Sequence, residues 1–174
     1  MTHPAFEKHR ATLERAVEAI ATRGFWSPHP EMPSPKIYGE DAPAKGKQDF
    51  EAHLGKRFEL GQPGQTGWQG GEQSPYGVKL DVEYPVCEPQ ALIDAALVAM
   101  EGWREIGAEG RIGVCLEMIA RLHAQSFEIA HSVMATSGQG WMMAFQAGGP
   151  HAQERALESV AYAWREQSFV PTEA

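Results

Sequence analysis

The stretch ALIDAALVAMEGWREIGAEGRIGVCLEMIARLHAQSFEIAHSVMATSG, Ala91–Gly138, decides the fold class of this chain. Leu92, Ala95, Ala96, Ala99, Met100 and Trp103 recur at i, i+3, i+4, i+7, i+8 and i+11, the spacing of one face of an α-helix. Glu88 and Pro89 open that pattern and Gly107 closes it. A second stripe starts near Glu109 with Ile112, Cys115, Leu116, Ile119 and Leu122. It continues through Phe127, Ile129, Ala130, Val133 and Met134 to Gly138. Gln125 and Ser126 mark a break between two helices, with Ser126 as the N-cap, and Gly138 in the left-handed conformation is a helix stop.

Working outward, a last helical pattern runs from about Gly140 with Met142, Met143 and Phe145, then Leu157, Val160, Ala161 and Trp164. Gly148, Gly149 and Pro150 interrupt it, because a proline removes a donor from the helical ladder. Towards the N-terminus, Thr2 to Gly24 places Phe6, Leu13, Ala16, Val17 and Ile20 on one stripe, with Pro4 in the first turn and Gly24 as the C-cap. The run FWSPHPEMPSP, Phe25–Pro35, holds four prolines and reads as an extended arm. A short helix is expected over Ala44 to Leu54, ended by Gly55. Val78, Leu80, Val82 and Tyr84 alternate with Lys79, Asp81 and Glu83, which predicts a half-buried strand. A strand at Thr66 to Gln69 is expected to pair with it across Gly70 to Pro75 as a β-hairpin. The fold class is mainly α with a small β-hairpin. The chain divides into residues 1–87, holding the N-terminal helix, Pro-rich arm and hairpin, and residues 88–174, an all-helical segment.

Composition narrows the function. At 174 residues the chain suits one domain, which at this length buries roughly 70% of its unfolded surface. A formal charge of −8, with no basic run beyond Lys8/Arg10 and Lys56/Arg57, argues against a nucleic-acid partner. No apolar stretch approaches the roughly 18–20 residues of a membrane span and no signal pattern opens the chain, so the expectation is a cytoplasmic protein without a membrane partner. Cys87 and Cys115 are expected to be free thiols.

The seven histidines, His3, His9, His29, His53, His123, His131 and His151, form neither an H-E-x-x-H face nor a Cys/His zinc pattern. Cys115 and His123, eight residues apart on one helix, would need further ligands to hold a metal. Thr136-Ser137-Gly138-Gln139-Gly140 is the nearest string to a hydrolase elbow and reads as a helix stop. Gly148-Gly149-Pro150 is flanked by helix on both sides and so is a turn rather than a phosphate loop. Cys115 on an apolar stripe is expected to be inert, and Glu83 and Glu88 would oppose a thiolate at Cys87. Trp141, Met142, Met143 and Phe145 form either core or an adaptable hydrophobic groove.

Three strings carry a family resemblance: SPYGVKLDVEYP from Ser74, the Ala96–Gly140 run, and above all MAFQAGGPHAQERALESVAYA from Met143 to Ala163. They resemble the N-terminal portion of the phenylacetic acid degradation (PaaN) type within the aldehyde dehydrogenase superfamily, and the opening residues 1–40 look similar as well. Trp103, Arg111 and Gly138 occupy the superfamily's Trp helix, Arg-headed helix and T-G turn, with Ala135-Thr136-Ser137-Gly138 standing where the family has a Thr-Thr-Gly-like turn. The resemblance implies the N-terminal helical part of the α/β aldehyde-dehydrogenase-like fold. In that family a cysteine nucleophile, an amide and backbone oxyanion site, a glutamate base and a Rossmann-like NAD(P) site all lie C-terminal to the matched region. It follows that no catalytic, cofactor-binding or metal residue is assigned here. NAD or NADP belongs to the full-length family, with none expected for this chain alone. The end at Ser168–Ala174 falls before the catalytic portion would begin, as in a truncated reading frame, a gene fragment or an excised domain. The implied partner is the remainder of a parent chain or a second subunit, homo-oligomeric in full-length form; the alternative is a free-standing, non-catalytic helical interaction module.

Overall fold

The computed structural model describes residues 3–167, 169 and 170; part of the expected C-terminal stretch, Ser168 and Pro171 to Ala174, therefore lies outside the described residues, as does Thr2. Eight helices and one two-stranded antiparallel sheet make up the described chain. In chain order they are α1 (Pro4–Thr22), α2 (Pro35–Tyr38), α3 (Ala42–Glu51), β1 (Gln65–Gln69), β2 (Tyr84–Cys87), α4 (Pro89–Glu105), α5 (Gly107–Ala124), α6 (Ser126–Ser137), α7 (Trp141–Gly148) and α8 (Pro150–Gln167). The mainly helical reading with a small β element is thus the fold observed.

The first core layer joins α1, α5 and α8. Phe6, Leu13 and Ala16 meet Ile112, Leu116 and Ile119, and Leu157 and Ala161 close the third side with Trp26 and Trp164 against them. Of the expected stripes, Phe6, Leu13, Ala16, Ile112, Leu116, Ile119, Leu157 and Ala161 are buried, Val17, Ile20, Val160 and Trp164 are half-buried against them, and Leu122 is exposed. Removal of each large apolar side chain from water contributes roughly 1.5–3 kcal/mol. α1 and α5 approach so closely that a Cβ on Gly113 would stand 2.4 Å from the backbone nitrogen of Phe6. Gly46 does the same for α3 on α6, where a Cβ would stand 2.3 Å from that of Phe127. A second cluster gathers Phe127, Ala130 and Phe145, with Tyr38, Ala42 and Trp141 packed on it. The third sets Leu80, Val82 and Ala135 against Phe50, Leu54 and Phe58.

Several local expectations are corrected. The strand expected over Val78–Tyr84 begins only at Tyr84 and pairs Gln69 with Tyr84, Trp68 with Pro85, Gly67 with Val86 and Gln65 with Cys87. Asp81 adopts a left-handed φ of 47°, which an extended ladder cannot accommodate. The alternation still has meaning upstream of the strand, because Leu80 and Val82 are buried while Val78 is exposed. Arg23, not Gly24, is the left-handed residue that ends α1. Ser126 is the first helical residue of α6 rather than its cap; its hydroxyl donates to the His123 carbonyl at 2.8 Å instead of accepting from the helix. The arm ends in an unexpected helical turn, α2, whose N-cap Ser34 accepts from Lys36 N at 3.3 Å. By contrast, Gly138 stops α6 at φ 76°, and Pro150 starts α8 immediately after Gly149, both as the residue types demand.

Candidate functional site

α4 is the element the body leaves uncovered. Its first turn follows β2 directly, with Glu88 as the cap residue and Pro89 in the first turn, and at its other end it meets α5 across Ile106. None of its residues is buried. At 100° per residue, Ala99, Leu92, Trp103, Ala96, Met100, Ile93 and Leu97 fall within roughly 160° of arc, while Asp94, Glu101 and Glu105 share the opposite side. A stripe that wide belongs against another surface. Instead Ile93 is 52% and Leu97 60% exposed, and Leu92, Met100 and Trp103 are exposed as well. Contiguous apolar surface of this kind marks an interaction face. Arg111 Nη1 reaches the Trp103 carbonyl at 3.4 Å, tying the end of α4 to α5.

The Trp141–Phe145 segment divides between its two readings. Phe145 and Ala144 are fully buried and Trp141 packs on the second cluster, whereas Met142 and Met143 are exposed.

Each histidine has a partner within the chain, His151 at the exposed surface. His3 accepts from Ala5 N at the start of α1, His9 pairs with Glu117 at 2.7 Å, His53 with Glu128 at 2.9 Å and His151 with Glu31 at 3.3 Å. His131 stacks on Phe50 and lies 4.6 Å from Trp141 between ring centroids. His29 and His123 meet edge to face at 4.9 Å. Glu154 Oε1 accepts from Ser27 Oγ at 3.0 Å and from His29 N at 3.0 Å, and pairs with His29 Nδ1 at 2.8 Å. Burial pushes the His29 imidazole below its ordinary value, against the opposing pull of Glu154. No spacing in the sequence signals this contact, whose partners are 125 residues apart.

What this arrangement can do chemically is limited. Among the described residues no group of three His, Cys, Asp or Glu side chains is placed to hold a metal. Ser126 bonds the His123 backbone and Gln153, not an imidazole, so it has no base beside it. Cys87 and Cys115 are both half-buried free thiols. An open groove of about 630 Å³ between the end of α1, the arm and α8 is lined by Ile20, Trp26, Glu31, Glu154 and Arg155 among others. A nucleotide would find poor purchase where strand meets helix: at the β2–α4 junction Glu88 is negative and Pro89 has no N–H to offer a phosphate. The β2–α4 junction therefore does not fit the phosphates of a dinucleotide. No helix among the described residues is long and apolar enough to cross a membrane.

No family model and no curated protein matches the chain. Among solved structures, the crystal structure of an NAD-dependent aldehyde dehydrogenase from Burkholderia multivorans superimposes over the whole chain with a TM-score of 0.94 and 59% sequence identity. The match covers 100% of this chain and 31% of that one, its N-terminal third.

Proposed function

We propose that this chain is the N-terminal scaffold of an aldehyde-dehydrogenase-type oxidoreductase, and that it supplies packing surface rather than reacting groups. The single observation that carries this reading is the likeness to the Burkholderia multivorans enzyme, close in both sequence and backbone along the entire chain yet confined to 31% of that enzyme. The exposed stripe of α4 is the face that docks against the rest of such a dehydrogenase, where NAD or NADP and the covalent chemistry of the aldehyde would be housed. The substrate class is an aldehyde formed in aromatic-acid breakdown, of the phenylacetic acid degradation type. The Met143–Ala163 string and the Ser74–Pro85 string support that finer assignment.

What the chain's own residues contribute is rigidity and position. α5 carries α4 through Ile106 and the Arg111–Trp103 contact, and α5 is itself fixed by the α1 and α8 faces of the first cluster. An assembled homo-oligomer would place this scaffold beside the dehydrogenase body of its own or a second subunit. The test is direct. Purified chain incubated with aromatic and aliphatic aldehydes and NAD or NADP is expected to give no aldehyde-dependent rise in NADH or NADPH absorbance. Turnover by the chain alone would overturn the scaffold reading.

A further inference from the structure

Pro85 determines which edge of the two-stranded sheet is open. In an antiparallel ladder, opposed residues alternate between pairs that exchange both backbone bonds and pairs that exchange none. Trp68 stands opposite Pro85, which has no N–H to give, so that pair is of the second kind and Gln69–Tyr84 and Gly67–Val86 are of the first. The backbone groups of Trp68 and Pro85 therefore point away from the ladder, to the outer sides of β1 and β2. Glu83 agrees with this alternation: its N–H donates to the Lys56 carbonyl at 3.1 Å and its carbonyl accepts from Phe58 N at 2.8 Å, both on the outer side of β2.

The outer side of β2 is thus covered at Glu83 and lacks a donor at Pro85, two devices that close a sheet edge to further strands. β1 carries neither. From Gln65 to Gly71 it holds no proline and no charge, and the N–H and carbonyl of Trp68 have no partner among the described residues. The strand is nevertheless held in place, because Arg57 pairs with Glu83 at 2.9 Å and lies over the Trp68 ring at 5.1 Å. Gly67 adds a second observation. Its φ is not left-handed, and a Cβ on it would meet nothing within 4 Å, so neither the backbone nor the packing of the described residues requires glycine there. Glycine inside a strand suits the close approach of another backbone.

We propose that the outer edge of β1 takes an extended strand from the dehydrogenase body, in the same docking that covers α4; the inference rests on the scaffold reading above. Edge and helix are joined. Glu88 N donates to the Gly64 carbonyl at 2.9 Å, and a Cβ on Gly64 would stand 2.4 Å from that of Ala91, so α4 begins against the residue that precedes β1. The five residues of β1 are too few to hold a partner alone, since specific interfaces use about 20–30 residues a side. With the 17 residues of α4 the patch comes within that range.

A second copy of this chain is the poorer occupant. Each copy carries a formal charge of −8, and α4 sets Asp94, Glu101 and Glu105 against a single base, Arg104, so two copies would bring like charges together. The enzyme from Burkholderia multivorans, by contrast, has a body able to supply a strand, because the likeness is confined to 31% of it. In this docking the α4 stripe contributes apolar area and the main-chain bonds of β1 set the register.

The test is a fusion in which this chain replaces the matching N-terminal third of the Burkholderia multivorans enzyme, compared with the chain alone by hydrogen exchange at single-residue resolution. Aldehyde-dependent NADH production reports that the fusion has assembled. In the chain alone, the Gln69 amide, which faces β2, is expected to be protected and the Trp68 amide to exchange freely. In the fusion, exchange of Trp68 is expected to slow by at least about tenfold, together with further protection of α4. Free exchange of Trp68 in an active fusion whose α4 is protected overturns the strand pairing and leaves the scaffold reading standing. An inactive fusion whose α4 exchanges as in the chain alone overturns both. Protection of Trp68 already present in the chain alone also overturns the proposal, and protection that rises with concentration assigns the edge to a second copy.

Discussion

Replacing Gly113 by alanine probes the closest contact in the first core layer. The new Cβ would stand 2.4 Å from Phe6 N, 2.9 Å from Ala5 C and 2.9 Å from Phe6 Cα. All three are backbone atoms of α1, so no side-chain rotation relieves the overlap. To restore an ordinary contact of about 3.4 Å, α1 must back away from α5 by roughly 1 Å, a gap that forfeits a quarter to a half of the dispersion attraction between facing atoms. Phe6, Leu13 and Ala16 would lift from Ile112, Leu116 and Ile119, and the Lys8 and His9 contacts to Glu117 would stretch with them. Overpacking of this kind costs about 1–3 kcal/mol, and the better helix propensity of alanine offsets roughly 0.5–1. With an unrelievable backbone clash the upper end applies, leaving a net loss of about 2 kcal/mol. For a chain of this size each kcal/mol lowers Tm by roughly 2–4 °C, so the melting point followed by circular dichroism should drop by about 4–8 °C. Gly102→Ala is the control: it lies within α4, nothing stands within 4 Å of its added Cβ, and it should leave Tm level or raise it. A Gly113→Ala protein that melts at or above the parent would refute the close approach of α1 and α5.

Other consequences of the structure can be measured separately. Phe145→Ala, at a fully buried position between Phe127, Tyr38 and Trp141, should lower the unfolding free energy by about 3–5 kcal/mol in urea titrations. Glu117 is held at about 2 by hydrogen bonds from Lys8, His9 and Arg121, against an ordinary 4.5, so its contribution is complete above 4.5 and fades as pH falls towards 2. Stability measured between about pH 5 and 2.5 should accordingly fall less steeply in Glu117→Gln than in the parent. The double change Ile93→Glu with Leu97→Glu should reduce binding of a hydrophobic dye and self-association while shifting chain stability by no more than about 0.5 kcal/mol, because both side chains are exposed.

What the sequence makes legible is governed by range. The stripes of α1, α5 and α8 and the breaks at Gln125–Ser126, Gly138 and Gly149–Pro150 depend on residues within a few turns of each other, and periodicity with local backbone chemistry finds them. The strand slipped for a local reason that alternation cannot report: Asp81 turns left-handed, so Leu80 and Val82 bury themselves in an irregular segment before the ladder begins. Arg23 took the left-handed position one residue before the glycine that favours it. The amphipathic pattern of α4 identifies a helix with a face to cover but not what covers it. The Glu154 contacts that seat the arm join residues more than a hundred positions apart, beyond the reach of any spacing rule.

The scaffold account is tested most directly by mixing this chain with the Burkholderia multivorans dehydrogenase from which the matching N-terminal third has been removed, and following hydrogen exchange of residues 89–105 alongside NADH production. The account predicts a one-to-one complex in which α4 becomes protected and aldehyde-dependent NADH formation returns. A mixture in which α4 exchanges as it does in the chain alone, with no complex and no turnover, would contradict it.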